Sequence, residues 1–515
     1  GQIKALKTAQ LDALTSAQVG KLTTAQVQVL SSSQLSAMDN ADLAAMTLDQ
    51  VKKINVSSLS KMTDTKLAAF TSDQLASLTT NQVKVLNTDQ LKALSGTQLS
   101  AMGTSSIAVL TNTQLNAIDD ATLAAMTSDQ VRAITTSALA KMDASQVANF
   151  TGSQLSALTT AQIKALTAAQ VKALTTAQLV ALSEDQAGVL TTAQVKSLTT
   201  DQIAAIETAD LAKLGTSHIQ AMSTSVIASL TADQFKTLST DQLNALTTAQ
   251  VKGLTTAQLV ALTTDQVGGL TAGVVSALSV TQLAAVETDD FAALSTDAVA
   301  SLTTAQISKL TTAQIVALSE DQTGVLTTAQ VKSLTTTQVS VLETADLAKL
   351  GTSQIQALSA GAVANLTADQ MKALGTDQLN ALTTGQVKGL TTAQLVALTT
   401  EQVGGLIAGM VSALTTTQIA AVATDDFAVL STGAVAAFTT AQVSALTTAQ
   451  VVALSEDQAG VLTTAQVKVL TSAQIAVFET ADLAKLGTSH IQALSSGAIA
   501  SLTADQFKSF STDQL

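Results

Sequence analysis

The chain has 515 residues and a formal net charge of −13, from 25 Lys and Arg against 38 Asp and Glu. It contains no Pro, Cys, Trp or Tyr and only two His. Without Cys there can be no disulfide framework, thiolate nucleophile or zinc-thiolate site, and two His cannot form the usual metal clusters. This composition argues against most enzyme chemistry, so we expect no catalytic, cofactor-binding or metal-binding residues.

The distribution of charge also limits the partners. A surface that binds nucleic acid needs Lys and Arg clustered on one face, whereas here they are scattered and outnumbered. Thr, Ser, Gln or Asp interrupts every apolar run well before the roughly 18 residues of a membrane span. We therefore expect neither nucleic-acid binding nor a transmembrane segment. The chain opens at Gly1 without a signal peptide and stops inside a motif at residues 511–515, which suggests a processed or excised piece.

One eight-residue motif repeats along the whole chain. Counted from the Thr or Ser that opens each octad, position eight is Leu, Ile, Met, Val or Phe from Leu6 to Phe510, and position five is apolar except at Thr323. All nine Phe fall on these two positions, which predicts that they fill the core. Because no insertion breaks the phase and no linker composition is present, we predict a single array over residues 1–515.

The spacing favours a helix within each octad. Positions five and eight are three residues apart, so they share one face of a helix but would lie on opposite faces of a strand. A continuous helix is excluded, because eight residues at about 100° each overshoot two turns by about 80° and would wind the apolar stripe around the helix. The helix must therefore end and restart in every octad.

Each octad also carries a helix start signal, which is clear in residues 190–195, Leu-Thr-Thr-Ala-Gln-Val. Thr191 can act as the N-cap, and Gln194 can complete a capping box. Leu190 and Val195 form the accompanying hydrophobic staple. The predicted fold is an all-α solenoid of about 64 short capped helices, each in contact mainly with its sequence neighbours. A β-solenoid is the alternative, because Thr and Val also favour strands.

A longer repeat of seventeen octads is superimposed on the eight-residue motif. Ser-Glu-Asp-Gln recurs at positions 183, 319 and 455, and Glu-Thr-Ala-Asp recurs at positions 207, 343 and 479. These copies indicate a duplicated 136-residue block, with boundaries at residues 183–318, 319–454 and, in part, 455–515. Since seventeen is odd, we expect equivalent octads that are steps of one superhelix, without alternating roles.

Strings such as LTTAQVKGLTTAQLVAL, residues 246–262, resemble the Thr/Gln/Ala-rich octapeptide arrays of very large bacterial surface or secreted proteins. The resemblance covers the whole chain. It implies an extracellular or cell-surface location and a structural or adhesive role, and it carries over no catalytic residue. Residues 446–454 also resemble the opening of a transcription-activator-like effector repeat, but those repeats are several times longer and read bases through a variable residue pair that this acidic chain lacks.

Six adjacent acidic pairs could be calcium ligands: Asp119/Asp120, Glu184/Asp185, Asp289/Asp290, Glu320/Asp321, Asp425/Asp426 and Glu456/Asp457. Each pair offers two carboxylates, whereas Ca²⁺ takes six to eight oxygens. Negative charge in the first turn of a helix complements the helix dipole, and we expect this structural role for the pairs. Metal bridging by ligands pooled from neighbouring octads is the alternative.

The two histidines, His218 and His490, occupy position four of equivalent octads, and the intermediate copy carries Gln354. Replacement by Gln indicates a polar surface role and not acid-base catalysis, which needs a partnered pocket. The glycine pairs at residues 268–269 and 404–405 lie at positions six and seven, where small residues would let helices approach closely.

These features predict a structural function. A long array of repeats without catalytic residues is typical of a protein whose length serves its function. An unbroken array also leaves faces that a neighbouring copy could cover. We predict a self-associating extracellular filament, sheath or surface-layer component, with possible glycan or cell-surface contacts. The alternatives are an adhesin stalk that acts as a spacer, and a solenoid binding module for a peptide, a glycan or ice.

Overall fold

The computed structural model describes residues 2–515 and places them in two compact units, the first ending at Ala261 and the second spanning Leu262–Leu515. The described residues form 63 α-helices and no β-strand, which confirms the all-α solenoid and excludes the β-solenoid for this part of the chain. Every α-helix begins at position two of an octad and is four to six residues long. A 3₁₀ helix, Ile3–Ala5, precedes them.

The first unit contains these helices, in chain order: α1 (Thr8–Asp12), α2 (Ser16–Val19), α3 (Thr24–Gln28), α4 (Ser32–Ala37), α5 (Asn40–Ala44), α6 (Leu48–Lys52), α7 (Val56–Leu59), α8 (Asp64–Leu67), α9 (Ser72–Ala76), α10 (Thr80–Lys84), α11 (Thr88–Lys92), α12 (Gly96–Ala101), α13 (Thr104–Ile107), α14 (Asn112–Ala117), α15 (Asp120–Ala124), α16 (Ser128–Ala133), α17 (Thr136–Leu139), α18 (Ala144–Ala148), α19 (Gly152–Ala157), α20 (Thr160–Ala165), α21 (Ala168–Ala173), α22 (Thr176–Val180), α23 (Glu184–Gly188), α24 (Thr192–Ser197), α25 (Thr200–Ala205), α26 (Thr208–Lys213), α27 (Thr216–Ala221), α28 (Thr224–Ser229), α29 (Ala232–Lys236), α30 (Thr240–Asn244), α31 (Thr248–Gly253) and α32 (Thr256–Val260).

The second unit contains the following helices: α33 (Thr264–Gly268), α34 (Ala272–Ala277), α35 (Val280–Ala284), α36 (Thr288–Ala292), α37 (Thr296–Ala300), α38 (Thr304–Ile307), α39 (Thr312–Val316), α40 (Glu320–Gly324), α41 (Thr328–Ser333), α42 (Thr336–Ser340), α43 (Thr344–Lys349), α44 (Thr352–Ala357), α45 (Ala360–Ala364), α46 (Ala368–Ala373), α47 (Thr376–Asn380), α48 (Thr384–Gly389), α49 (Thr392–Val396), α50 (Thr400–Gly404), α51 (Ala408–Ala413), α52 (Thr416–Ala420), α53 (Thr424–Ala428), α54 (Thr432–Ala436), α55 (Thr440–Ser444), α56 (Thr448–Val452), α57 (Glu456–Gly460), α58 (Thr464–Lys468), α59 (Ser472–Ala476), α60 (Thr480–Lys485), α61 (Thr488–Ala493), α62 (Ser496–Ala500) and α63 (Ala504–Lys508).

The predicted capping box is present. The Thr191 hydroxyl accepts a hydrogen bond from the backbone N–H of Gln194 at 3.2 Å, and the backbone N–H of Thr191 donates to Gln194 Oε1 at 2.6 Å. Between helices, extended residues turn the chain, as at Leu198 (ψ 140°) and Thr199 (ψ 166°). No residue in the described part of the chain has a positive φ, so these corners need neither Gly nor Pro.

Helices stack laterally, but not on their sequence neighbours as expected. Most of them pack against the helix three places further along, as in the series α18, α21, α24 and α27 of the first unit and the series α40, α43 and α46 of the second. The corners turn the chain after every octad, so two helices intervene before it returns to the same face. Within each unit, a helix of fewer than seven residues is therefore stabilised by long-range packing.

The core follows the predicted octad positions. At positions five and eight, Val195 is 1% exposed and Leu198 is 4% exposed, and Thr323 at position five is fully buried as well. Eight of the nine Phe are buried. Phe507 differs from the prediction and is half exposed, because no described helix packs over that side of α63; it contacts Phe510 edge to face at 6.0 Å between ring centroids.

Candidate functional site

The side chain at position four links two helix ends. Gln330 Oε1 accepts from the backbone N–H of Thr327 at 2.7 Å, completing the capping box of α41. Gln330 Nε2 donates to the carbonyl oxygens of Val299 at 3.0 Å, Ala300 at 3.2 Å and Leu302 at 2.7 Å, at the end of α37. We call a position-four side chain, with the carbonyls 28 and 31 residues earlier, a rung. A Gln rung satisfies backbone groups that would otherwise lack partners at both helix ends.

The donor half of the Gln rung was not predicted from the sequence. A Glu can close a capping box as well as a Gln can. No octad of this chain has Glu at position four. The preference for an amide indicates that a donor is needed as well as an acceptor, and this was the signal in the sequence for the second contact.

Three rungs replace the amide with an Asp that has a hydroxyl donor. Asp42 accepts from Ser16 Oγ, Asp290 from Thr264 Oγ1 and Asp426 from Thr400 Oγ1, each at 2.7 Å. Each hydroxyl lies 26 residues earlier, at position two of its octad. The carboxylate is therefore satisfied by a neighbouring helix and not by its own.

Three other rungs have an Asp but no such hydroxyl: Asp210, Asp346 and Asp482, spaced by seventeen octads. Their side chains are buried, with relative exposures of 5%, 2% and 2%. The residue at the place of the hydroxyl, three octads earlier, is a glutamate in all three cases, namely Glu184, Glu320 and Glu456. We call these three the acidic rungs. Oδ2 of Asp346 and Oδ2 of Asp482 are buried and have no hydrogen-bond partner.

The charges around the acidic rung at Asp346 do not neutralise it. Lys349 Nζ lies 3.1 Å from Glu320 Oε2, so this lysine pairs with the outer glutamate. Burial raises the pKa of Asp346 to about 6, and the charges of Glu343 and Glu320 act in the same direction. The carboxyl group thus holds its proton more tightly than an exposed aspartate does.

The other two copies follow the same pattern. Burial, then Glu479 and Glu456, raise the pKa of Asp482 to about 6, while Lys485 pairs with Glu456 at 3.2 Å. In the first unit, burial, Glu207 and Glu184 raise the pKa of Asp210, and Lys213 pairs with Glu184 at 3.4 Å. The arrangement therefore recurs in both units.

The structure separates the predicted acidic pairs into different roles. Asp119 is itself an N-cap, where hydrogen bonds from the backbone N–H and hydroxyl of Thr122, at 2.9 and 2.8 Å, lower its pKa. Glu184, Glu320 and Glu456 lie in the first helical turn, as expected, but each also pairs with a lysine of a stacked helix. Within residues 2–515, no group of three or more His, Asp and Glu side chains is placed to hold a metal ion.

The remaining candidate residues cap backbone N–H groups or allow close approach of the backbone. Nδ1 of His218 accepts from the N–H of Gly215 at 2.9 Å, and Nδ1 of His490 accepts from the N–H of Gly487 at 3.0 Å, so both imidazoles take the capping role of Gln. The glycines do allow close approach: a Cβ added at Gly268 would lie 3.0 Å from the carbonyl oxygen of Ala293. For the described residues, no helix is long and apolar enough to cross a membrane.

A second candidate site is an apolar groove that occurs twice in the second unit. Each groove has a volume of about 480 Å³. The first is lined by Thr288, Thr312, Ala313, Val316, Ala317 and Val341. The second is lined by the equivalent residues seventeen octads later, including Thr448, Val452 and Val477, and also by Asp425. Val316 and Val452, at position six, are 42% and 45% exposed. We call these the valine grooves.

Comparisons with known proteins identify the repeat. The ALTTAQ repeat matches residues 1–32, 59–96, 152–184, 168–200, 203–240, 238–272, 283–320, 304–336, 339–376, 371–407, 419–456 and 475–512. No curated protein matches the chain. Among solved structures, a structure of APUM23-GGAAUUGACGG is 11% identical over 94% of both chains, with a TM-score of 0.14. A crystal structure of importin beta in an ammonium sulfate condition is 11% identical over 99% of this chain and 65% of that chain, with a TM-score of 0.13. Since the matched ranges cover more than half of its length, the chain belongs to the ALTTAQ repeat family.

Proposed function

We propose that the protein is a structural, self-associating component of an extracellular filament, sheath or surface layer of a bacterium, and that it is not an enzyme. The observation that carries this proposal is the recurrence of the valine groove at the spacing of the seventeen-octad block. The resemblance to octapeptide arrays of large bacterial surface proteins supports the location.

The valine grooves offer apolar surface for a lateral contact. Val396, also at position six, is 55% exposed, which adds to the apolar surface of this unit. Burying a valine side chain fully contributes roughly 1.5–3 kcal/mol. Two equivalent grooves in one unit would add their contributions when a partner engages both at once. A second copy of this chain has the same seventeen-octad period and would meet both grooves in register.

Two alternatives remain open to experiment. An adhesin stalk would use the same repeats as a spacer, with the grooves exposed to solvent. A binding module would use a groove for a peptide or glycan, and about 480 Å³ lies within the range of small-ligand pockets. The net charge of −13 argues against nucleic acid as the ligand.

Sedimentation velocity and negative-stain microscopy of the purified chain test the proposal. We expect concentration-dependent assemblies that are lost in the double variant Val316→Asp/Val452→Asp, because two carboxylates would enter the apolar contact. The matched control is Ser308→Asp/Ser444→Asp, which adds the same charge at position six one octad earlier and should still assemble. Monodisperse monomers of the unaltered chain in all buffers would reject self-association and favour the stalk.

A further inference from the structure

The acidic rungs lack the amide donor that a Gln rung has. At a Gln rung, Nε2–H groups meet the carbonyl oxygens 28 and 31 residues earlier. The corresponding carbonyls for Asp346 belong to Ile315, in α39, and to Leu318, just after that helix. Asp346 Oδ2 is buried and has no hydrogen-bond partner. An ionised carboxylate brings no hydrogen to these carbonyls, so both sides of the rung would then consist of oxygen acceptors.

We propose that Asp346 and Asp482, and Asp210 in the first unit, are proton-operated rungs. When the carboxyl group is protonated, its O–H donates to the carbonyl oxygen that a Gln amide would otherwise reach. When it is ionised, the rung has no donor and the carboxylate faces other oxygen atoms. Low pH therefore stabilises these helices against local opening, and neutral pH destabilises them. This inference is independent of self-association, because every group involved belongs to one chain.

The lysines on the helices packed around Asp346 are paired with other carboxylates. The same octad contributes Glu343 and Lys349, and α40 contributes Glu320, which holds Lys349 at 3.1 Å. On the other side, α46 packs against α43 and contributes Asp369 and Lys372, which pair with each other at 3.9 Å. Asp321, next to Glu320 in α40, adds further negative charge. These cations are therefore engaged elsewhere and do not take the place of the proton.

The surroundings of Asp482 are equivalent. Its own octad contributes Glu479 and Lys485, and α57 contributes Glu456, which holds Lys485 at 3.2 Å, together with Asp457. In α63, which packs against α60, Lys508 pairs with Asp505 at 3.5 Å. The recurrence of the same arrangement seventeen octads apart shows that the missing donor belongs to the repeated block and not to one aberrant octad.

The direction of the pH effect follows from the raised pKa of Asp346. In the folded chain the pKa of Asp346 is about 6, whereas an aspartate in an unfolded chain has a pKa of about 3.9. Between these values the folded state binds more protons than the unfolded state, so stability falls as pH rises. The contribution of protonated Asp346 to folding stability is fully present below about pH 4 and is lost as pH rises through about 6. Above that range both states are ionised and the dependence ends.

Hydrogen exchange of the helices, read by peptide mass spectrometry from pH 4.5 to 7.5 and corrected for the intrinsic exchange rate, tests the proposal. We expect protection of α43 and α60 to fall by roughly tenfold or more across this range, because the pKa difference between folded and unfolded chain spans about two units. In Asp346→Gln/Asp482→Gln, which restores the common rung, protection should be high and independent of pH. Asp346→Asn/Asp482→Asn, an uncharged replacement of the same shape, should also abolish the pH dependence.

The matched control is Asp290→Gln/Asp426→Gln, which removes two position-four aspartates that already have hydroxyl donors. The fall in protection of α43 and α60 should remain in this control. Protection of the unaltered α43 and α60 that does not change with pH would overturn the proposal, as would a fall that persists in the Gln variant. Recovery of protection at pH 7.5 on adding calcium ions alone would also overturn it, because the rung would then be a cation site.

Discussion

Asp290 and Asp346 occupy the same octad position in the same unit, but their surroundings differ. Asp290 accepts a hydrogen bond from the hydroxyl of Thr264 at 2.7 Å. Asp346 has Glu320 at the equivalent place three octads earlier, and its Oδ2 has no partner. The octads themselves are similar, Glu-Thr-Asp-Asp-Phe against Glu-Thr-Ala-Asp-Leu. The comparison shows that a residue three octads away decides whether a buried carboxylate is satisfied.

The difference follows from the way the helices stack. Because each helix packs on the one three places along, position two of one octad faces position four of another. The pairing of these two positions cannot be recognised within a single octad. It is recognised only when position four is compared with position two of the octad three repeats earlier. Substitutions at either member should therefore convert one kind of rung into the other, and substitutions elsewhere in the octad should not.

The largest effect is expected from adding a second acid one residue after Asp346. Leu347, next to Asp346, is fully buried at position five. In Leu347→Asp the carboxylate would enter the apolar core, where no carbonyl edge or hydroxyl can take part in a hydrogen bond, and we expect a loss of about 3–5 kcal/mol in the free energy of local opening of α43. Hydrogen exchange at pH 7 measures it. The control Leu347→Met should lose less than about 1.5 kcal/mol, and equal losses in the two variants would contradict the assigned core.

A smaller effect is expected at a Gln rung. Gln330→Ala removes the cap acceptor and the donor to three carbonyls, so we expect α41 to lose about 2–3 kcal/mol. Gln330→Glu keeps the cap acceptor and removes only the donor, and it should make the stability of α41 depend on pH in the way proposed for α43. Urea unfolding and hydrogen exchange at pH 4.5 and 7.5 measure both. If Gln330→Glu behaves like the unaltered chain at both pH values, the donor half of the rung has no energetic importance.

Removal of the hydroxyl donor should also make Asp290 resemble Asp346. Thr264→Val keeps the shape of the side chain and removes the hydroxyl donor, which leaves the Asp290 carboxylate without its partner. We expect α36 to lose about 1–2 kcal/mol at pH 7, the usual cost of an unsatisfied buried acceptor. Thr264→Ser, which retains the hydroxyl, should leave the exchange of α36 unchanged, and a similar loss in both variants would point to packing alone.

The parts of the fold that the sequence predicted are those encoded within one octad. The restart of the helix follows from the mismatch between eight residues and the helical period, and Thr191 with Gln194 marks the start. Positions five and eight form the core because they share one helical face. The stacking partner was predicted wrongly, because the corner angle between helices depends on packing between octads and leaves no local pattern.

The acidic rung was missed for the same reason. The sequence identifies Asp346 as a marker of the seventeen-octad repeat, and Glu320 as a first-turn charge or a candidate calcium ligand. Neither description pairs position four of one octad with position two of another, whereas burial of Asp346 and the ion pair of Lys349 with Glu320 connect octads that are far apart in sequence. Once the offset of three octads is known, the replacement of the usual hydroxyl by Glu320 identifies the site from sequence.

The smallest expected effect concerns the other half of the capping box, which the Gln rungs share. The Thr327 hydroxyl accepts from the backbone N–H of Gln330 at 3.2 Å. Thr327→Ala removes this acceptor but leaves the bond from the Thr327 N–H to Gln330 Oε1, so we expect a loss of about 1 kcal/mol confined to α41.

The chain itself offers the matched control for Thr327. Gly351 and Gly375 are N-caps without a side chain, and in both octads the Gln side chain still accepts from the N-cap N–H. Glycine at an N-cap costs only a few tenths of a kcal/mol, so Thr327→Gly should be milder than Thr327→Ala. Both variants should leave the pH dependence of α43 unchanged, since neither alters a group that faces Asp346. Exchange of α41 and α43 in the same experiment distinguishes the two effects: a shift in the pH dependence of α43 would mean that the rungs are coupled along the stack and do not titrate independently.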